Sequence, residues 1–189
     1  MISFLKVVNR LIFATSNEGK LKEARAILGI DIEGTALKID EVQSLNEEYV
    51  AEKKARAYFG EIKKPIFVED VSLRFNAIGG LPGTYINDFL RCVGNSGLLE
   101  LMSNFTDKSA TAITTIGYIN DDEKVHVFKG TLEGQISEEE KGENGFGWDP
   151  IFIPKGFSQT LAQMTSKEKN RISMRAAALQ KLQNYLKTS

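Results

Sequence analysis

The sequence has 189 residues, about one domain's length, with 42% hydrophobic and 26% charged residues. Those values suit a folded globular chain and exclude disordered, collagen-like and disulfide-framework classes. Its 24 Lys and Arg stand against 25 Asp and Glu for a formal charge of -1, which leaves no overall basic field for nucleic acid or anionic membrane, so any anion site has to be local. One cysteine, Cys92, and one histidine, His126, rule out an internal disulfide and a Cys/His zinc site and point to a reducing, cytoplasmic setting.

Met1 to Ala14 is apolar in patches, but Lys6, Asn9 and Arg10 break it well short of the ~20 residues of a membrane span. Charges inside and after the apolar part are also out of order for a signal peptide. No repeat, linker or low-complexity tract divides the chain, so one continuous domain over residues 1–189 is expected. Leu11-Ile12-Phe13-Ala14 reads as a buried strand, Thr15-Ser16-Asn17 as a turn, and the following residues as a helix with Leu21, Ala24 and Leu28 on one face and Gly29 as its stop. Ser44 and Glu47 have capping-box spacing, which predicts a second helix over about residues 45–59 ended by Gly60.

Pro65 precedes the apolar strand Ile66-Phe67-Val68, which runs into Glu69 and Asp70, and Gly79-Gly80-Leu81-Pro82-Gly83 demands a shaped loop. Two short helices are expected next, one with Phe89 and Leu90 and one with Leu98, Leu99, Leu101 and Met102. Thr111 to Ile119, Val125 to Phe128 and Thr131 to Ile136 read as strands, the first two joined by the turn Asn120-Asp121-Asp122. Gly142 to Pro150 is a glycine-rich loop with the only tryptophan, Trp148, leading into Ile151-Phe152-Ile153; the C-terminus carries a helical stripe of Ile172, Ala176, Leu179, Leu182 and Leu186. Strand-helix alternation around an antiparallel centre predicts an α/β domain with a mixed sheet.

Four constellations could carry chemistry. The strand-turn-helix at residues 11–20 is an anion cradle, because free helical N–H groups and the dipole face the turn and Lys20 adds charge; a plain cap is the simpler reading. Glu69 and Asp70 at a strand end, with Glu41, could hold Mg²⁺ through hard oxygens, or could be solvated. Phe146 and Trp148, in the loop that closes with Asp149, could stack on a nucleobase, although one ring could equally serve the core. Lys169, Arg171 and Arg175 form a basic patch at the last helix, which either begins at Ser166 or restarts at Ser173. His126 sits in an alternating strand and Cys92 has no base near it in sequence, so nucleophilic triads are poorly supported.

These residues resemble the inosine/xanthosine triphosphate pyrophosphatase family. The resemblance lies in Thr15-Ser16-Asn17-Glu18-Gly19-Lys20-Leu21, Glu41-Val42-Gln43, Glu69-Asp70-Val71-Ser72-Leu73, Gly80 to Ile86, Phe146 to Phe152 and Lys169 to Arg175, in that order over nearly the whole chain. It implies an elongated mixed sheet flanked by helices, two lobes with a central substrate cleft, and a homodimer. It also implies Mg²⁺-dependent hydrolysis of deaminated purine nucleoside triphosphates to monophosphate and pyrophosphate, with no nucleic-acid or membrane partner.

Carried over by position, Thr15, Ser16, Asn17, Glu18, Gly19, Lys20 and Lys53 would hold the triphosphate, and Glu41 and Asp70 the metal, with Asp70 activating water. Val71, Phe146, Gly147, Trp148 and Asp149 would meet the base and sugar, and Lys169 and Arg175 the triphosphate or the base's oxygen edge. Attack at phosphorus builds charge on oxygens, which cations and lysine donors stabilise. A fixed Arg donor selects a 6-oxo over a 6-amino purine. The sequence departs from the family pattern at Asn87, usually Lys, and at Met174, usually His; a catalytically weak nucleotide sensor of the same fold is the alternative those departures allow.

Overall fold

A computed structural model describes residues 11–188; the N-terminal stretch read above, up to Arg10, lies outside the described residues. Strand β1 (Leu11–Ala14), helix α1 (Glu18–Leu28), β2 (Ile32–Thr35), α2 (Glu47–Ile62) and β3 (Ile66–Phe75) come first. They are followed by β4 (Pro82–Gly83), α3 (Ile86–Ser103), β5 (Ser109–Ile119), β6 (Val125–Ile136), β7 (Phe152–Pro154), α4 (Ser166–Ile172) and α5 (Met174–Thr188). The strands form one sheet in the order β2-β1-β3-β5-β6-β7, with β4 pairing to β3. The β2-β1-β3 pairs are parallel and the rest antiparallel, so the expected mixed α/β sheet is what forms.

β3 is longer than the sequence reading, and that changes the geometry of its acids. Glu69 and Asp70 lie in mid-strand, and successive strand residues point to opposite faces. Phe67 joins the core under α1 and α5 with Phe13, Leu21 and Leu179, whereas Ile66 and Val68 join the core under α2 with Ala55 and Phe59. Glu69 therefore faces α5 and Asp70 faces α2. Further along, Val71, Leu73 and Phe75 enter a third core with α3 residues Leu98 and Met102 and with Trp148 and Phe152. β3 and β5 thus run from one lobe's core into the other's.

β1 stops at Ala14, opposite Val68, and β4 begins pairing only at Leu73. Between them residues 69–72 have β5 on one side and no strand on the other. This break, where β1 ends and α1 begins, is the position at which open α/β sheets build sites.

Several boundaries differ from the sequence reading for local reasons. Asn46, not the Ser44 box, caps α2, its side chain accepting from Glu48 N and Tyr49 N, and Gly60 sits inside the helix, which ends at Lys63 in the left-handed region. β6 passes through Gly130 as one strand, because Met174 and Ala178 backbone atoms pack where a Cβ would sit, 2.0 and 2.6 Å away. α3, by contrast, is the expected pair of short helices, broken at Gly94, whose φ of 67° and ψ of -174° are not helical. The last helical region does restart: Ser173 is extended between α4 and α5.

Candidate active site

The turn after β1 is held by its own side chains. Asn17 N donates to Thr15 Oγ1, and Asn17 Oδ1 accepts from Lys20 N as the cap of α1. Ser16, Asn17 and Glu18 are exposed. Gly19 is explained by close approach, since a Cβ there would lie 2.8 Å from Phe146 Cδ1. The first turn of α1 is thereby pressed against the aromatic loop.

On the α5 side of the sheet the charges are buried and paired. Arg175, 1% exposed, donates through Nε and Nη2 to the two oxygens of Glu69 at 2.8 and 2.9 Å and through Nη1 to Glu23. Lys169, 3% exposed, donates to Glu23 Oε1 at 2.8 Å and Asp149 Oδ2 at 2.6 Å, and Lys20 pairs with Glu69 at 3.1 Å. Lys169 and Arg175 of the basic patch thus belong to an interior network, while Arg171 is exposed. Lys169 and Arg175 lie 4.5 and 5.3 Å from the Phe146 ring centre, within cation–π range. A cavity of about 140 Å³ opens here, its lining including Lys20, Val71, Asn87, Phe146, Trp148 and Arg175.

Burial alone pushes the Glu69 carboxyl up, but Arg175 and Lys20 outweigh it and hold it at about 2. Burial likewise works against the charge on Arg175, and Glu69 and Glu23 reverse that and raise its affinity for its proton. Asp149 goes the other way: burial raises it despite Lys169 and the Phe146 N–H.

On the α2 side the balance is different. Asp70 has Oδ2 buried with no hydrogen-bond partner, and burial pushes its carboxyl up to about 6 against the pull of Lys54 and Lys20, with Glu41 and Glu69 adding repulsion. Lys54 Nζ donates to Glu41 at 2.8 Å. The lysine brought to the acids is Lys54, and Lys53 instead lies over the Tyr49 ring at 5.5 Å. Neighbouring helix residues project about 100° apart, so both cannot face the acids. This corrects the choice of Lys53 made from sequence.

The two aromatics of the glycine-rich loop divide their roles. Trp148 is 5% exposed and packs edge-on against Phe152 in the core while also edging the cavity; Phe146 is half-buried under the two cations. Asp149 closes the loop by accepting from Phe146 N at 2.8 Å, and Asn95, just past the α3 break, donates to Gly147 O at 3.0 Å. Met174 is 2% exposed, packed in the apolar core and lining the same cavity, and Asn87 is exposed at the start of α3. His126 bonds Tyr185 Oη at 2.8 Å on the outer part of the sheet, away from these groups.

Sequence reasoning missed Glu23 and Lys54. Glu23 lies three residues after Lys20 and Lys54 four after Val50, spacings that put each on an inward helix face, but which partners they meet depends on helix packing.

The geometry above has close counterparts. The sequence profile of the Ham1 family matches residues 11–185, nearly every described residue. This chain belongs to the Ham1 family. A Yarrowia lipolytica inosine triphosphate pyrophosphatase is 44% identical over 93% of this chain and 95% of its own length. A Thermococcus kodakarensis dITP/XTP pyrophosphatase is 39% identical over 94% and 97%. Among solved structures, the Staphylococcus aureus Ham1 protein aligns with TM-score 0.81 at 30% identity, covering 95% of this chain and 98% of that one. A Coxiella burnetii HAM1 protein aligns with TM-score 0.84 at 27% identity over 95% and 99%. As a Ham1 protein the chain shares its mixed α/β fold with these solved structures over nearly all of its length.

No group of three or more His, Cys, Asp or Glu forms a metal cluster among the described residues. Mg²⁺ does not need one, since it binds through one or two carboxylates completed by waters and phosphates. Glu41 and the unpartnered Asp70 oxygen fit that donor set.

Proposed function

We propose that this Ham1 protein hydrolyses inosine and xanthosine triphosphates, ribo or deoxy, to the monophosphate and pyrophosphate with Mg²⁺ as cofactor. The names of its Yarrowia and Thermococcus relatives support the substrate class. The observation that carries the reading is Asp70, a buried carboxylate with one free oxygen, set between Lys20, Lys54 and Glu41 at the break in the sheet.

Lys20 and the exposed turn 15–18 would hold the phosphate chain at the α1 N-terminus, with Lys54 on the opposite side. Glu41 and Asp70 would hold Mg²⁺, which supplies charge stabilisation at the phosphoryl oxygens. Asp70, whose Oδ2 is buried without a partner, is suited to take the proton of the attacking water. On the other side of β3, Arg175 has five N–H groups, of which three are bound to Glu69 and Glu23. The remaining two are donors in a fixed plane, complementary to the 6-oxo edge of hypoxanthine or xanthine and opposed to adenine's amino group. Phe146 and Trp148 would flank the base.

Binding alone would need the lysines and Glu41, whereas the buried, unpartnered oxygen of Asp70 is what turnover needs in addition, which favours the enzyme over the binding-only alternative. A homodimer working in the cytoplasm completes the reading, supported by the family resemblance and by the free, exposed thiol of Cys92. Among the described residues no helix is long and apolar enough to cross a membrane.

Incubation with a nucleotide panel and Mg²⁺, with products resolved by ion-exchange chromatography, tests the activity. Inosine and xanthosine triphosphates should yield monophosphate and pyrophosphate, and ATP far less. Orthophosphate as the product, or equal use of ATP, would refute the reading. Sedimentation equilibrium tests the dimer, which a monomer at micromolar concentration would rule out.

A further inference from the structure

On the α2 side of the sheet a second polar atom besides Asp70 Oδ2 is buried without a hydrogen-bond partner, the hydroxyl of Thr115. The β3–β5 register sets Thr115 directly opposite Asp70. Directly opposed residues of antiparallel strands share a face, with Cβ atoms about 4.5–5.5 Å apart, a separation an O–H···O bond between these two side chains can span. Thr115 is 1% exposed. α2 roofs this face closely, for a Cβ on Gly117, two residues along, would lie 2.6 Å from the Ala51 carbonyl. Beyond Thr115 in the same row stands Lys129, whose ammonium turns to Glu47 at 3.5 Å.

A buried hydroxyl without a partner is a standing cost that valine, of the same shape, does not carry, and valine suits a central strand at least as well. Threonine at this position is therefore unexplained by folding. The cost falls beside Asp70 Oδ2, a buried carboxylate oxygen on this face that also lacks a partner.

We propose that Thr115 is a positioning residue for Asp70: its hydroxyl donates to Asp70 Oδ2 as that carboxylate turns to engage the cation, and so fixes the carboxylate's orientation. The two atoms are not bonded to each other in this structure, and a hydroxyl rotates to suit its acceptor. The proposal rests on the pyrophosphatase reading for its catalytic consequence. Its consequence for cation binding is separate and is measured without turnover.

The test compares Thr115→Val, Thr115→Ser and, for calibration, Thr114→Val. Thr114 carries the other unpartnered hydroxyl of β5 and, one residue along, points to the opposite face, across from Val71. Removing either hydroxyl should leave Tm unchanged or raise it, by about 2–4 °C for a chain this size. Thr115→Val should nonetheless weaken Mn²⁺ binding, followed by electron paramagnetic resonance on the whole protein, by about fivefold, the scale of one hydrogen bond. It should lower kcat for inosine triphosphate by a similar factor with KM less affected, and Thr115→Ser should recover both to within about twofold.

Thr115→Val with wild-type Mn²⁺ affinity would overturn the proposal, as would a loss that serine does not recover, because packing and not the hydroxyl would then be responsible. Should Thr115→Val fail to fold, Thr115→Ala deletes the same hydroxyl and carries the same reading. A wild-type protein that binds Mn²⁺ but releases no pyrophosphate would refute the proposed function and leave Thr115 to be decided by the titration. A wild-type protein that binds no Mn²⁺ either alone or with pyrophosphate present would overturn both.

Discussion

On β3, Glu69 and Asp70 stand one residue apart and face opposite sides of the sheet, where a buried carboxylate meets two different environments. On the α5 side Glu69 is clasped by Arg175 and Lys20 and held at about 2. On the α2 side Asp70 keeps an unpartnered oxygen and is pushed up to about 6. The first side is completed by the protein itself and offers a rigid frame that recognises. The second is left incomplete, at a cost in stability, and is where a cation and a reacting water would find unused capacity.

Breaking the satisfied side should give the largest effect. Glu69→Gln leaves Arg175 buried without its main counter-charge and should destabilise the fold by roughly 3–5 kcal/mol, the usual penalty for removing one partner of a buried pair. Calorimetry measures the loss. The same variant should blunt the preference for inosine triphosphate over ATP, since Arg175 is no longer held in plane.

Asp70→Asn probes the unsatisfied side and should behave in the reverse manner, with turnover falling at least ~10²-fold while stability at neutral pH rises. The sign follows from its raised pKa. Between about 3.8 and 6 the native protein holds a proton on Asp70 that the unfolded chain has released, so stability declines as pH rises through that window. In chelator-treated buffer the stability advantage of Asp70→Asn, read from Tm, should therefore grow from pH 4 to 6.5 and then level off, reaching up to ~3 kcal/mol. Glu69 has the opposite sign, contributing stability above about 4.5 that is lost as pH falls towards 2. A Tm difference independent of pH would break the contrast.

The two lysines of α2 sharpen it further. Lys54→Ala should lower kcat/KM about 10- to 100-fold, as the loss of one charged hydrogen bond to a ligand does. Lys53→Ala should stay within about twofold. Equal effects in steady-state kinetics would mean that the helix face has been misplaced.

The smallest effect is expected at Met174. From sequence, a histidine here would add a donor and raise selectivity. In the structure Met174 is packed in the apolar core, so Met174→His should cost about 1–3 kcal/mol as a polar group buried without a certain partner. Any gain in kcat/KM should be less than tenfold, and denaturant midpoints with steady-state rates read both.

Much of this was legible in the chain. The turn at Thr15 to Asn17, the loop Phe146 to Asp149 and the residues Lys169 to Arg175 are local motifs, and the strands around them announce themselves by period and by β-branched composition. The mixed α/β sheet followed from the order of those elements. Helix ends were less legible, because Asn46 and Lys63 cap α2 where Ser44 and Gly60 offered stronger local signals. Trp148 looked like a stacking ring in a flexible loop and is largely core, since only the docking of that loop against α3 and β7 encloses it.

By itself, then, the sequence determined the family, the kind of sheet and most of the residues that meet at its break, because each of these depends on neighbours within a few positions. Only the tertiary structure decided that Glu69 and Asp70 serve different faces, that Lys54 and Glu23 join the site, that Lys169 and Arg175 form an interior network and that Thr115 stands across from Asp70. Those facts depend on strand length, register and helix rotation, which are set by packing between segments as far apart as β3 and α5. The energies involved belong to pairs of residues that no local pattern relates.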